Sequence, residues 1–307
     1  MWFKNLIFYR LTEAFNHTEE TLQELMAEHA FVPCGSQELS RYGWNSATGG
    51  LTDELVHGVS GYMMVSALKE EKILPAGVVR KAVEEKVAVI ERDQARKVYR
   101  KERDQLKDEV ILDLLPRAFS RFNQTRALIA PKQGWIVVDT GAHKHAEELL
   151  NLLRNTLGSL PVALPDVAQS PSAVMTHWLQ APDQQQPAFA IQDECELRDS
   201  LVESGVIRIK GQELESEEFI AHLEAGKRVV KLSIEWDEKL RFMLEESLCL
   251  KRLKLSDQLK ENLDSEYQDD EIAQFDTDMT QMGLEFTRLI PALLEAFGGD
   301  VTQQSQN

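Results

Sequence analysis

The chain opens on Trp2–Leu11 (WFKNLIFYRL), whose crowding of aromatic and branched residues predicts a strand. His17–His29 then carries Leu22, Leu25 and Met26 at helical spacing, with Thr18 placed to cap the helix. Gly58–Leu68 (GVSGYMMVSAL) reads as a buried strand. From Pro75 to Pro116 the pattern changes. Val78, Val79, Ala82, Val83, Val87 and Ile90 recur three, four or one apart, the stripe of an amphipathic helix. From Glu91 to Glu109 the residues become almost wholly charged, with Ala95, Val98, Tyr99 and Leu106 as sparse apolar positions. Pro75 suits a helix start, where its missing N–H would be unpaired anyway, and Pro116 suits a stop. One helix of roughly 30 residues would reach about 45 Å and would project from the core.

Strand character returns at Gly134–Asp139 (GWIVVD), followed by a helix over Lys144–Leu157 with Leu149, Leu152 and Leu153 on one side. Gly158 suits its C-terminal cap, and Pro161–Leu164 reads as a further strand. Gln180–Pro187 (QAPDQQQP) has a linker's composition. The last third reads as strand Val206–Lys210, helix Ser216–Glu224, strands Val229–Trp236, Arg241–Leu244 and Leu250–Leu255, and a helix over Asp270–Phe297 before the polar tail Val301–Asn307. The expected class is α+β, mixed sheet-and-helix layers with a long projecting helical element. Residues 1–75 with 127–180 form a central α+β domain in this reading, 76–126 the helical element, and 181–307 a C-terminal α+β domain. No fixed-period repeat is visible.

Charge makes the helical element the informative part. The 307 residues carry a net charge of −17, which repels nucleic acid and anionic membranes unless the positive charge is segregated. It is segregated: residues 69–126 hold 15 Lys and Arg against 11 acids. On a continuous helix Arg92, Arg96, Arg100, Arg103 and Lys107 would share a sector of about 80°, and Lys97 and Lys101, outside that sector, add to the positive charge of the same stretch. Such a ridge could follow a phosphate backbone; it could equally be a solvated face laced with i,i+4 ion pairs. A second cluster comprises Arg208 and Lys210, alternating with Ile207 and Ile209 and so directed to one face, then Lys227, Arg228 and Lys231. In Leu114–Thr125 (LLPRAFSRFNQT), Phe119 and Phe122 stand among Arg117, Arg121 and Arg126, as core residues, as platforms for bases or as anchors for a partner chain.

Signatures of catalysis are missing: no GxSxG elbow, GxxxxGK[ST] loop, HExxH or GxGxxG follows a predicted strand. His143 and His145 lack a third ligand at metal spacing. Asp269, Asp270 and Glu271 could hold a divalent cation, although acids also favour a helix N-terminus. Cys34, Cys195 and Cys249 are isolated, which excludes a disulfide framework and fits a reducing compartment. With no signal-peptide pattern and no apolar run of about 20 residues, the expectation is a cytoplasmic, non-enzymatic protein with no metal, cofactor or membrane partner.

Several segments resemble the bacterial RdgC family of recombination-associated proteins. They are WFKNLIFYRL, FVPCGSQEL (31–39), KEEKILP (69–75), QARK (94–97), LKDEVILDLLPRAFSRFNQT (106–125), LLRNTLGSLPV (152–162), EAGKRVVKL (224–232) and LKRLKLSD (250–257). They run in order over nearly the whole chain, and LLPRAFSRF is the most distinctive. The resemblance implies a nucleoid-associated, ring-shaped homodimer that binds single- and double-stranded DNA with little sequence preference and restrains RecA-promoted strand exchange. It also implies a ring lined with positive charge inside an acidic exterior. The two basic clusters, with Arg117 and Arg121, become DNA contacts in that setting, and Phe119 and Phe122 become dimer contacts. Two rivals are a module that acts on RecA directly and a metal-dependent exonuclease.

Overall fold

The computed structural model describes residues 2–181, 188–199, 205–212, 214, 216–264 and 270–302. Its first sheet is built from β1 (Ile7–Leu11), β2 (Ser40–Asn45), β3 (Val56–Val59), β4 (Tyr62–Lys72), β5 (Ser120–Ala130), β6 (Trp135–Val138) and β7 (Val162–Ala163). The order is β2-β4-β5-β6-β1-β7, with β3 sharing an edge of β4, and every pairing is antiparallel. Both faces of this sheet are covered. Ile7, Tyr9, Val65, Ile129 and Val138 pack with Leu22 and Met26 of α1 (Glu19–Ala27) and with Leu149, Leu150 and Leu153 of α4 (His143–Leu157). Residues of opposite parity, Phe8, Met64, Leu128 and Val137, join α5 (Pro171–Gln180) and α8 (Glu271–Ala296). Double coverage explains why β4 and β6 read as continuous apolar runs rather than alternating ones.

The second sheet has the order β12-β11-β10-β8-β9, again all antiparallel, from β8 (Phe189–Arg198), β9 (Val206–Lys210), β10 (Arg228–Trp236), β11 (Leu240–Glu245) and β12 (Leu250–Leu255). Its inner residues, Leu197, Leu232, Ile234 and Phe242, belong to the same core cluster as α8, so that helix lies against both sheets. Close approach matters here: a Cβ at Gly283 of α8 would sit 2.6 Å from the Tyr62 ring. The N-terminal segment ties the sheets together, since Leu6 and Leu250 exchange backbone hydrogen bonds of 2.7 and 3.0 Å. The helices α6 (Glu217–Glu224) and α7 (Asp257–Asp264) complete the second half.

The predicted long projecting helix is two helices. α2 (Ala76–Gln94) ends where Ala95 adopts a left-handed conformation (φ 49°, ψ 35°), and α3 (Arg100–Leu114) folds back along it. Val79, Val83 and Val87 pack against Leu106 and Val110 in a core separate from the other two clusters. Two features favour the turn over a continuous helix: the folded-back chain buries both apolar stripes against each other, and the Glu91 carboxylate accepts the Val98 N–H at 3.0 Å. After a 3-10 turn at Leu115–Arg117, residues 120–126, grouped with the helical element in the sequence reading, run as strand β5 paired with β4. The hairpin is therefore inserted at the end of a long β4–β5 ribbon. The predicted strand Trp2–Leu11 forms only from Ile7, the predicted strand Gly58–Leu68 is split by the Ser60–Gly61 turn between β3 and β4, and β2, β5, α5, β8 and α7 have no counterpart among the predicted elements. The Gln180–Pro187 linker lies outside the described residues apart from Gln180 and Ala181, as does the tail after Thr302.

Candidate nucleic-acid interface

Because the helix breaks at Ala95, the expected five-residue basic ridge does not exist as one sector. Arg92 stays in the last turn of α2, where its Nε meets Asp93 at 2.9 Å. Arg96 lies in the turn and donates both terminal nitrogens to the Glu102 carboxylate, which holds Glu102 below the usual carboxylate range. Arg100, Arg103 and Lys107 share one side of α3, and Arg103 reaches back toward Glu84 of α2 at 3.9 Å. Lys97, Arg100, Lys101, Lys107 and Arg117 are exposed and make no ion pair among the described residues. Arg80 and Lys81 on α2 share that condition and were not singled out from the sequence. Unpaired cations therefore crowd the turn, the first part of α3 and the outer side of α2.

The aromatic pair sits where the hairpin meets the ribbon. Phe119 is 84% exposed and Phe122 is also exposed, so neither is a core residue. Beside them Arg121 pairs with Glu71 across the ribbon at 2.8 Å. Under the same ribbon end, buried Glu70 accepts the Cys34 N–H at 2.7 Å and the Ser120 hydroxyl, which together keep its carboxyl below the ordinary range. A groove of about 580 Å³ opens between the hairpin and the ribbon, lined by Leu39, Leu74, Val79, Val83 and Ile111 with Arg103 and Lys107 at its rim.

The second cluster lies on the outer face of the second sheet. Arg208 and Lys210 do point the same way, on β9, 76% and 77% exposed at the side chain. They lean on β8: Arg208 donates to Glu196 at 2.9 Å, and Lys210 stands 3.7 Å from Glu194. Lys231 of β10 completes the group, 3.4 Å from Glu196 and 3.5 Å from Glu245. Lys227 pairs with Asp199 at 3.9 Å, and Arg228 is exposed at the start of β10. Burial pushes the Glu196 carboxyl up, but Arg208 and Lys231 outweigh it and hold the group below its usual value. Glu194 is lowered chiefly by the hydrogen bond from Arg252.

Arg252 belongs to a group that the sequence reading missed. Arg241 on β11 and Lys251, Arg252 and Lys254 on β12 carry the basic face across the sheet. The register slips between Arg241 and Met243, and Arg252 has a positive φ of 55°. Such a bulge places an extra residue between the buried Leu250 and Leu253, so both Lys251 and Arg252 stay accessible. The signal was present in LKRLKL, three cations in six residues of a predicted strand, although strict alternation would have sent one of them inward.

The alternative chemistries find less. Asp270 caps α8 by accepting the N–H groups of Ile272 and Ala273, while Asp269 lies outside the described residues. His143 and His145 are exposed in the first turn of α4. Among the described residues no three His, Cys, Asp or Glu side chains converge as a metal site would require. No helix among them is long and apolar enough to cross a membrane.

Residues 1–300 match the family model described as "Putative exonuclease, RdgC". Similar curated proteins bear the name recombination-associated protein RdgC. That of Pseudomonas fluorescens (strain Pf0-1) is 48% identical over 305 residues, 99% of each chain. That of Pseudomonas aeruginosa (strain PAO1) is 47% identical over 307 residues, again 99% of each. The Tolumonas auensis protein is 42% identical over 300 residues, 98% of this chain and 99% of its own.

Proposed function

The chain belongs to the RdgC family of recombination-associated proteins, and from that premise we propose that it binds DNA through the backbone, without reading sequence, as a ring-shaped homodimer. The observation that carries this reading is the distribution of charge. A chain of net charge −17 keeps a set of exposed, unpaired cations on one small element, around the α2–α3 turn and along α3. Lys and Arg bind phosphate without discriminating bases, and the acidic surface away from the basic faces discourages contacts there.

Two chains are needed to surround a duplex, and the hairpin base has the features of a contact. A phenylalanine exposed as fully as Phe119 is costly to leave in water, and the apolar groove on the same element offers a second copy's Phe119 a seat. Two-fold symmetry satisfies both at once, because each chain carries one anchor and one groove. Phe122, beside the anchor, extends the apolar contact.

Occupying DNA in this way accounts for restraint of RecA without any surface made for RecA. Both proteins compete for the same phosphates, and the protein acts where the DNA lies, at the nucleoid. The test is RecA-promoted strand exchange with a fixed amount of this protein and increasing amounts of unrelated competitor DNA. Inhibition relieved by the competitor supports occupancy. Inhibition that persists in excess DNA, and in a variant with Lys97, Arg100 and Lys101 changed to Gln, replaces it with direct contact to RecA.

A further inference from the structure

On the outer face of the second sheet, a row of carboxylates lies beneath a layer of cations. Along β8 the inward residues Cys195 and Leu197 are buried, and the outward residues Glu194 and Glu196 lie in a row. Each carboxylate is sunk beneath cations. Glu194 accepts from Arg252 at 2.6 Å and faces Lys210; Glu196 accepts from Arg208 at 2.9 Å and faces Lys231. The side chains of Glu194 and Glu196 are only 20% and 10% exposed, whereas the cations above them extend into solvent. Glu245 repeats the arrangement with Lys251 at 2.9 Å and Lys231 at 3.5 Å, while Asp193, itself exposed, pairs with Arg241 at the surface.

We propose that Glu194 and Glu196 are built-in competitors for phosphate on a second DNA-backbone surface formed by β8, β9, β10 and β12. A carboxylate and a phosphate oxygen present the same acceptor chemistry to Arg and Lys. The long stems of Arg208, Lys210 and Arg252 let their heads swing from the acid beneath to an anion above without moving the strand. The carboxylates hold the cations in a preorganised lattice in the free protein and weaken DNA binding, because each ion pair must be exchanged for a phosphate. The outcome is a surface that grips loosely and releases readily. This inference rests on the DNA-binding reading above and adds to it the residues that set the affinity.

The test compares binding to a random-sequence DNA duplex by the wild-type protein and by the Glu194→Gln/Glu196→Gln variant, across a salt series. A control variant, Glu24→Gln on the exposed side of α1 with Glu28→Gln at its C-terminal cap, changes net charge equally and away from this face. The freed cations should tighten binding about tenfold at low salt and steepen the salt dependence by about one to two ions, with the control changing less than about twofold. Equal effects in the two variants would overturn the proposal, leaving only a net-charge effect. Arg208→Gln/Lys210→Gln in the otherwise wild-type chain gives a second arm that does not depend on the buried carboxylates tolerating substitution. It should weaken binding severalfold and flatten the slope, and unchanged binding would overturn the proposal. A wild-type protein that fails to bind DNA at low salt refutes the underlying DNA reading instead, which keeps the two failures apart.

Discussion

Replacing Ala95 by glycine distinguishes the hairpin from a continuous helix by the sign of its effect. Ala95 sits at φ 49°, ψ 35°, the left-handed region, which costs an L-residue about 1–2 kcal/mol. Glycine removes that strain but gives the unfolded chain more freedom, worth about 0.5–1 kcal/mol in the other direction. The net expectation is a stabilisation of roughly 0.5–1 kcal/mol, in line with the preference for glycine just past a helix end. In a continuous helix the same change would cost about 1 kcal/mol. Because α2 and α3 close a small core of their own, the effect should appear in local opening before it appears in global unfolding. Amide hydrogen exchange at Val83, Val87, Leu106 and Val110 is the assay, and Ala95→Gly should slow it about two- to fivefold. Exchange accelerated by a similar factor would refute the turn.

Other predictions follow from the core, the thiols and the acids. Phe286→Ala removes a buried ring whose centroid stands 6.3 Å from that of Trp2 and 6.0 Å from that of Phe3, and should lower stability by about 3–5 kcal/mol in urea denaturation. A loss below about 1 kcal/mol would contradict the placement of α8 against the N-terminal segment. Cys195 and Cys249 are buried, with burial pushing their thiols up to about 12 and about 11, whereas Cys34, though its thiol is also pushed up, is half-buried; a thiol reagent near pH 8 should therefore titrate Cys34 alone in the native protein and all three after denaturation. Glu70 is held below its ordinary value of 4.5 by the Cys34 N–H and the Ser120 hydroxyl. Its contribution to stability is therefore complete above that value and lost as pH falls through the lower folded value. The stability difference between wild type and Glu70→Gln should be constant from pH 6 to 8 and shrink below about pH 4, and a difference that grows in acid would reverse the assignment.

Much of the architecture was legible because local pattern and tertiary structure agree. The α4 stripe of Leu149 and Leu153, the GWIVVD strand and the terminal helix stand where periodicity placed them. The hairpin was not legible, since Ala95 is a strong helix former in a charged, helix-favouring stretch, and only long-range packing of Val83 and Val87 on Leu106 and Val110 turns the chain. For β2 (SRYGWN) the obstacle was composition: Arg41 and Gly43 mask a strand whose Gly43 is required by the backbone of Phe31, 2.6 Å from where a Cβ would be. β8 went unread because its outward row alternates acids that look solvated and are in fact sunk among cations contributed by other strands. The common face of Arg208 and Lys210 could be read from a period of two. Their partners Glu194, Glu196 and Arg252 could not, because cross-strand register decides which residues meet.

The most direct test of the account is equilibrium binding to two DNA duplexes of unrelated sequence over a range of salt, for the wild-type protein and for a variant with Lys97, Arg100, Lys101 and Lys107 changed to Gln. Backbone binding predicts equal affinities for the two sequences and a steep linear fall of log affinity with log salt. The slope should be shallower in the variant by about one for each phosphate left without its cation. A marked preference for one sequence, or an affinity that is indifferent to salt in both proteins, would contradict it.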